Sequence, residues 1–91
     1  MQSFWGANFR DEKEIVIPAG HCLTLTNVSS WRPCSFDVKV DGEEFRVAEL
    51  SPGTLQHSFK LKLFPGSRVI LSTRGDSIVH VVGYLTKIEA K

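Results

Sequence analysis

Gly75-Asp76-Ser77-Ile78-Val79-His80-Val81-Val82-Gly83-Tyr84-Leu85 is the stretch that decides how this chain folds. A Gly-Asp turn signal feeds a run dominated by Ile, Val and Tyr, residue types that suit a pleated, packed strand. Successive side chains of a strand point to opposite faces. Ile78, Val82 and Tyr84 therefore fall on one side, and Val79, Val81 and Leu85 on the other. A strand with one wet face alternates apolar and polar residues, whereas this one is apolar on both. In a two-layer sandwich of 91 residues most strands have a single dry face, so the second face of this strand is expected to meet another subunit.

The length allows one domain over 1–91, small enough that surface buried between subunits would add to its stability. Eleven Lys and Arg against ten Asp and Glu leave a formal charge of +1. That balance supplies no strong field for nucleic acid or an acidic membrane, and direct binding to either is not expected. Met1-Gln2-Ser3-Phe4-Trp5-Gly6 lacks the basic start and long apolar core of a signal peptide, and no unbroken apolar run is long enough to span a bilayer. The chain reads as soluble and intracellular. In that setting Cys22 and Cys34 are expected to be free, buried thiols in preference to a disulfide. His21, His57 and His80 match no zinc or facial-triad spacing, so neither a metal nor another cofactor is expected.

Working outward from the closing strand, the same punctuation recurs along the chain. Phe4–Phe9 reads as a first strand, and a polar turn over Arg10–Glu14 leads to Glu14–Ile17, which Pro18-Ala19-Gly20 ends. His21–Val28 alternates Leu23 and Leu25 with threonines, a period of two that fits a half-buried strand. Ser29–Cys34 reads as a loop carrying the large aromatic Trp31. Phe36–Val40 and Phe45–Leu50 flank Asp41-Gly42, the strongest short-range hairpin signal in the sequence. After Ser51-Pro52-Gly53, His57–Leu63 points Phe59, Leu61 and Leu63 inward and Lys60 and Lys62 to water. Pro65-Gly66 then turns into Ser67–Thr73, and polar Thr86–Lys91 reads as the start of a linker. Eight short antiparallel strands and no convincing helix describe an all-β sandwich, of which the jelly roll is the common eight-stranded form.

Motifs for chemistry are weak. Arg74-Gly75-Asp76 reads as a turn, and Asn27-Val28-Ser29 has meaning as a glycosylation acceptor only in a secreted protein. Ser77 and His80 lie three residues apart along one strand and should face opposite ways, which does not suit a nucleophile and its base. With no phosphate loop or paired-carboxylate signature either, no enzyme activity is expected of this domain.

Three segments, taken together and in this order, resemble a known family. Phe4-Trp5-Gly6, Val47-Ala48-Glu49-Leu50-Ser51-Pro52 with Leu55, and Gly75-Asp76 followed by Val82-Gly83-Tyr84-Leu85 are similar to the nucleoplasmin-like domain, most closely the version at the N-terminus of nuclear FK506-binding immunophilins. The resemblance implies an eight-stranded antiparallel jelly-roll β-sandwich assembling as a homopentameric ring, sometimes as two stacked rings. It further implies a nuclear histone chaperone core that shields core histones with acidic segments, and it places this chain in the N-terminal part of a longer protein. The family's long acidic tail is missing here, so most of those segments would lie outside the chain. A prolyl isomerase activity would belong to a separate domain.

On this reading Asp41, Glu43 and Glu44 at the hairpin are the histone-binding candidates, although an ordinary solvated turn carries such carboxylates too. Phe4, Trp5, Ile78, Val79, Val81, Val82, Tyr84 and Leu85 are candidates for the core or the subunit interface, which the sequence does not divide. The alternative is a monomeric β-sandwich that binds a peptide or a sugar through the Trp31 loop.

Overall fold

The computed structural model describes residues 2–75 and 77–88. Eight strands follow in order: β1 (Gln2–Phe9), β2 (Glu12–Ile15), β3 (His21–Ser30), β4 (Cys34–Val40), β5 (Glu43–Leu50), β6 (Gln56–Leu63), β7 (Val69–Arg74) and β8 (Val79–Lys87). They form two four-stranded sheets, the first in the order β1-β8-β3-β6 and the second β2-β7-β4-β5, with every pairing antiparallel. This alternation of strands between two sheets is the jelly roll.

The core lies where the inner strands of the two sheets face each other. Leu23, Leu25 and Val28 of β3 and Val79 and Val81 of β8 meet Phe36 and Val38 of β4 and Val69 and Leu71 of β7, all fully buried. Phe36 stands at the centre, with its ring 6.4 Å from that of Phe9 and 5.9 Å from that of Phe59. The closing strand lies between β1 and β3, which explains its composition: a central strand is covered on both edges and needs side chains that pack.

Two glycines are required by geometry. Asp41 and Gly42 both take positive φ, 51° and 90°, the conformation of the tight turn whose twist matches the strands it joins. Asp41 N–H donates to the Arg68 carbonyl at 2.9 Å and its carboxylate accepts from Arg68 N–H at 2.8 Å, tying the hairpin to the connection between β6 and β7. Gly83 answers a close approach of backbone. The β3 register shifts between Leu25 and Asn27, and a Cβ at position 83 would stand 2.1 Å from the Thr24 carbonyl oxygen. Thr26, the extra residue of this bulge, donates from Oγ1 to the Val82 carbonyl at 3.3 Å.

Several boundaries differ from the sequence expectation. Ser29 and Ser30, expected in a loop, continue β3, because β8 supplies His80 and Val79 as their ladder partners. Thr86 and Lys87, expected to begin a linker, belong to β8, where they lie opposite Cys22 and His21. Strand β2 begins at Glu12, inside the expected turn, because it pairs with β7 from Ser72 onward. Cross-strand partners distant in sequence set all three ends. The Asp76 part of the expected turn and the tail from Glu89 lie outside the described residues.

Candidate functional site

The outward face of the second sheet is charged and internally compensated. Asp37, itself buried, accepts from Ser35 Oγ at 3.3 Å and from Arg46 Nε at 3.1 Å. That hydrogen bond, and then the charge of the same carboxylate, hold the Arg46 guanidinium above its ordinary pKa. Arg46 also reaches Glu49 at 3.3 Å, Arg74 lies 3.6 Å from Glu44, and Arg68 lies 3.3 Å from Glu14. This is a surface built for water.

The outward face of the first sheet has another character. Phe4 lies opposite Tyr84, and Val82 lies opposite Gly6, so strand alternation puts Phe4, Val82 and Tyr84 together on the side away from the core. Phe4 is 79% exposed and leans along its own strand over Gly6, where an added Cβ would lie 3.1 Å from the ring. Val82 and Tyr84 are half-buried. Of the remaining interface or core candidates, Val79 and Val81 are fully buried, Trp5 and Leu85 pack against the core from partly exposed positions, and Ile78 precedes β8 with its side chain exposed. The doubly apolar strand is thereby divided into a core row and an outer row.

The acidic candidates Asp41, Glu43 and Glu44 follow one another at the β4–β5 hairpin, but Glu43 and Glu44, consecutive in β5, point to opposite faces of the sheet. Two of them are engaged within the chain, Asp41 with the Arg68 amide and Glu44 with Arg74. Glu43 borders an apolar groove of about 660 Å³, which was not foreseen from the sequence. The groove opens between β5 and β6, the edge strands of opposite sheets, and is walled by Val38, Val40, Val47, Leu61, Phe45 and Phe64, among others. Phe45 is 54% and Phe64 53% exposed. One sequence signal points to it: Phe64 directly follows Leu63 and so breaks the alternation of Phe59, Leu61 and Leu63.

At another part of the surface, past the end of β3, Trp31 is 81% exposed and borders two hollows, one lined by Leu55 and His80 and the other by Arg10 and Ile78. The histidines do not converge. His57 lies opposite Val28 and His80 opposite Ser29, neighbouring positions whose side chains take opposite faces, and His57 stacks on Phe59. Cys22 and Cys34 are buried and unpaired.

A jelly roll with one charged outer face, one apolar outer row and an open edge defines a β-sandwich module that presents surfaces for contact. Residues 4–86 match the nucleoplasmin-like domain, and the chain belongs to that family. It is 24% identical over 94 residues to the 39 kDa FK506-binding nuclear protein of Drosophila melanogaster, with all of this chain but only 26% of that protein's length covered. The match is therefore to a nucleoplasmin-like domain and not to a prolyl isomerase domain. The nucleoplasmin-like N-terminal domain of Drosophila FKBP39 superposes with a TM-score of 0.83 at 24% identity, covering 100% of this chain and 95% of that one. The Drosophila NLP core, whose crystal structure gives insight into pentamer formation and histone binding, superposes with a TM-score of 0.79 at 16% identity over 92% of this chain and 98% of that one.

Proposed function

We propose that this chain is the oligomerising core of a nuclear histone chaperone, a homopentameric platform that binds core histones mainly through acidic segments outside it. The family membership over residues 4–86 carries this reading. The outer row Phe4, Val82 and Tyr84 supports it, because a contiguous apolar row on a solvent-facing side favours contact with another surface. In such an assembly weak acidic surfaces act together, since each repeats around the ring and the second contact becomes intramolecular. The chain's own share of that surface is the hairpin with Asp41, Glu43 and Glu44, whose internal pairing keeps its contribution modest.

Light scattering on a size-exclusion column, at low and physiological salt, tests the ring: the expected mass is about five times 10.2 kDa, or twice that for stacked rings. A mass near one chain removes the proposal. Titration with purified core histones tests the partner, and Glu43→Gln with Glu44→Gln should weaken binding a few-fold at unchanged mass. The exposure of Trp31 favours a second reading, a monomeric peptide- or sugar-binding module. It requires a monomer mass and loss of binding on Trp31→Ala.

A further inference from the structure

Trp31 stands at one end of the sandwich, past β3, on a short loop whose base is fastened by hydrogen bonds. Ser30 N–H donates to the Leu55 carbonyl at 3.0 Å, Arg32 N–H donates to Ser30 Oγ at 3.3 Å, and the Ser30 and Ser77 hydroxyls are hydrogen-bonded to each other. The indole itself is 81% exposed. A large aromatic ring left in water on an ordered loop offers a contact at little cost in conformational entropy.

The two hollows beside this ring differ in chemistry. The first, of about 400 Å³, is lined by Ser29, Gln56 and His80, with Leu55. His80 lies opposite Ser29 and Ser29 opposite Gln56, so imidazole, hydroxyl and carboxamide stand in one row on the outer face of the first sheet. Asn8, opposite His80, extends the row, which lies at the end of the sheet beyond Phe4, Val82 and Tyr84. Each of these side chains can both donate and accept a hydrogen bond. The second hollow, of about 300 Å³, is lined by Arg10 and Arg32, with Ser77 and Ile78. Neither hollow has a carboxylate among its described lining residues. The carboxylates that adjoin them in sequence are Asp11, which lines a different hollow with Glu12 of the second sheet, and Asp76, which lies outside the described residues.

A nucleotide within a single strand uses all three parts at once. It has a planar face that stacks on an indole, a base edge of donors and acceptors, and an anionic phosphate one sugar away from that base. A neutral sugar would leave the arginines unused, and a run of acidic residues brings no planar ring to the indole. We infer that the Trp31 end of this domain binds single-stranded nucleic acid, with one base stacked on the indole, its edge toward Ser29, Gln56 and His80, and the adjoining phosphate held by Arg10 and Arg32. The formal charge of +1, from which no such binding is expected, sums both sheets. The four strands of the first sheet contain no Asp or Glu, and the site needs only a local field. It does not depend on the ring proposed above: a monomer carries it once, and a ring repeats it in every subunit and gains avidity.

Fluorescence anisotropy of a short labelled single-stranded RNA of mixed sequence, titrated with this chain at low salt, tests the site. Saturable binding that weakens as salt rises is expected. Trp31→Ala should weaken it about tenfold or more through loss of stacking, with the circular dichroism unaltered because the side chain is exposed. Arg10→Gln should weaken it a few-fold and lower the slope of log K against log salt by about 0.7, the value for one phosphate contact on a single strand. The same sequence as a duplex, its bases already stacked on one another, should bind less tightly. Absence of binding to the single strand at low salt overturns the proposal, and so does binding that Trp31→Ala leaves intact. Displacement of the RNA by equimolar decaglutamate or by maltohexaose assigns the site to acidic peptides or to sugars and overturns it too. For a Trp31→Ala chain that does not fold, Trp5→Phe replaces it and leaves Trp31 as the single tryptophan. Saturating RNA should then quench the indole emission, and unaltered emission overturns the stacking.

Discussion

Across the outer face of β2-β7-β4-β5 several charges have an answer within reach, Arg46 with Asp37 and Glu49, Arg74 with Glu44, and Arg68 with Glu14. Across the outer face of β1-β8-β3-β6 the strands β1 and β8 present Phe4, Val82 and Tyr84 with no such pairing. Both faces belong to antiparallel sheets over the same core, so the difference is not imposed by the fold. Exposed ion pairs contribute only about 0–1 kcal/mol each, so the charged face keeps its sheet in water more than it holds the sheet together. The apolar row would have the opposite effect in an isolated chain, favouring association.

Four substitutions would break or sharpen this contrast, and they run from the whole fold down to a single surface pair. Gly83→Val should be the most damaging, because its Cβ would overlap the Thr24 carbonyl and force β3 from β8. A loss of roughly 3 kcal/mol or more is expected in denaturant unfolding, which would show that the first sheet depends on this close approach. Arg46→Leu should cost about 1–3 kcal/mol in the same measurement, since it leaves the buried Asp37 carboxylate with Ser35 alone among the side-chain donors described for it. A cost near zero would mean that Asp37 is hydrated and that the charged face reaches no deeper than the surface. Val82→Lys should alter monomer stability by less than about 1 kcal/mol while lowering the mass of the proposed ring; an unaltered mass would remove the outer row from the proposed contact. Glu14→Gln should change the thermal midpoint least, by an amount corresponding to about 0.5 kcal/mol or less, and less still at high salt, because its pair with Arg68 is exposed.

Local chemistry made part of this molecule legible. Asp41-Gly42 specifies its own turn, and the alternation of Phe59, Leu61 and Leu63 with lysines reads directly as a strand with one dry side. The apolar character of both faces of β8 was equally visible, because it is written in consecutive residues. The groove was hidden for a different reason. Which strands become edges depends on the order 1-8-3-6 and 2-7-4-5, a long-range property that no stretch of residues states by itself. The pairing of Glu44 with Arg74 was hidden in the same way, so a hairpin that looked freely acidic proves partly neutralised by a strand thirty residues on. The bulge at Thr26 and the need for Gly83 likewise appear only when β3 and β8 are laid side by side.

The paired hydrogen bonds between Asp41 and Arg68 fasten the β4–β5 turn to the segment by which the chain crosses from the first sheet to the second. Asp41 also borders the groove, so one point of that cavity's rim is fastened within the chain. Whatever settles there meets a rim already ordered at that point, and ordering the Phe45 and Phe64 side chains is the entropy that remains to be lost.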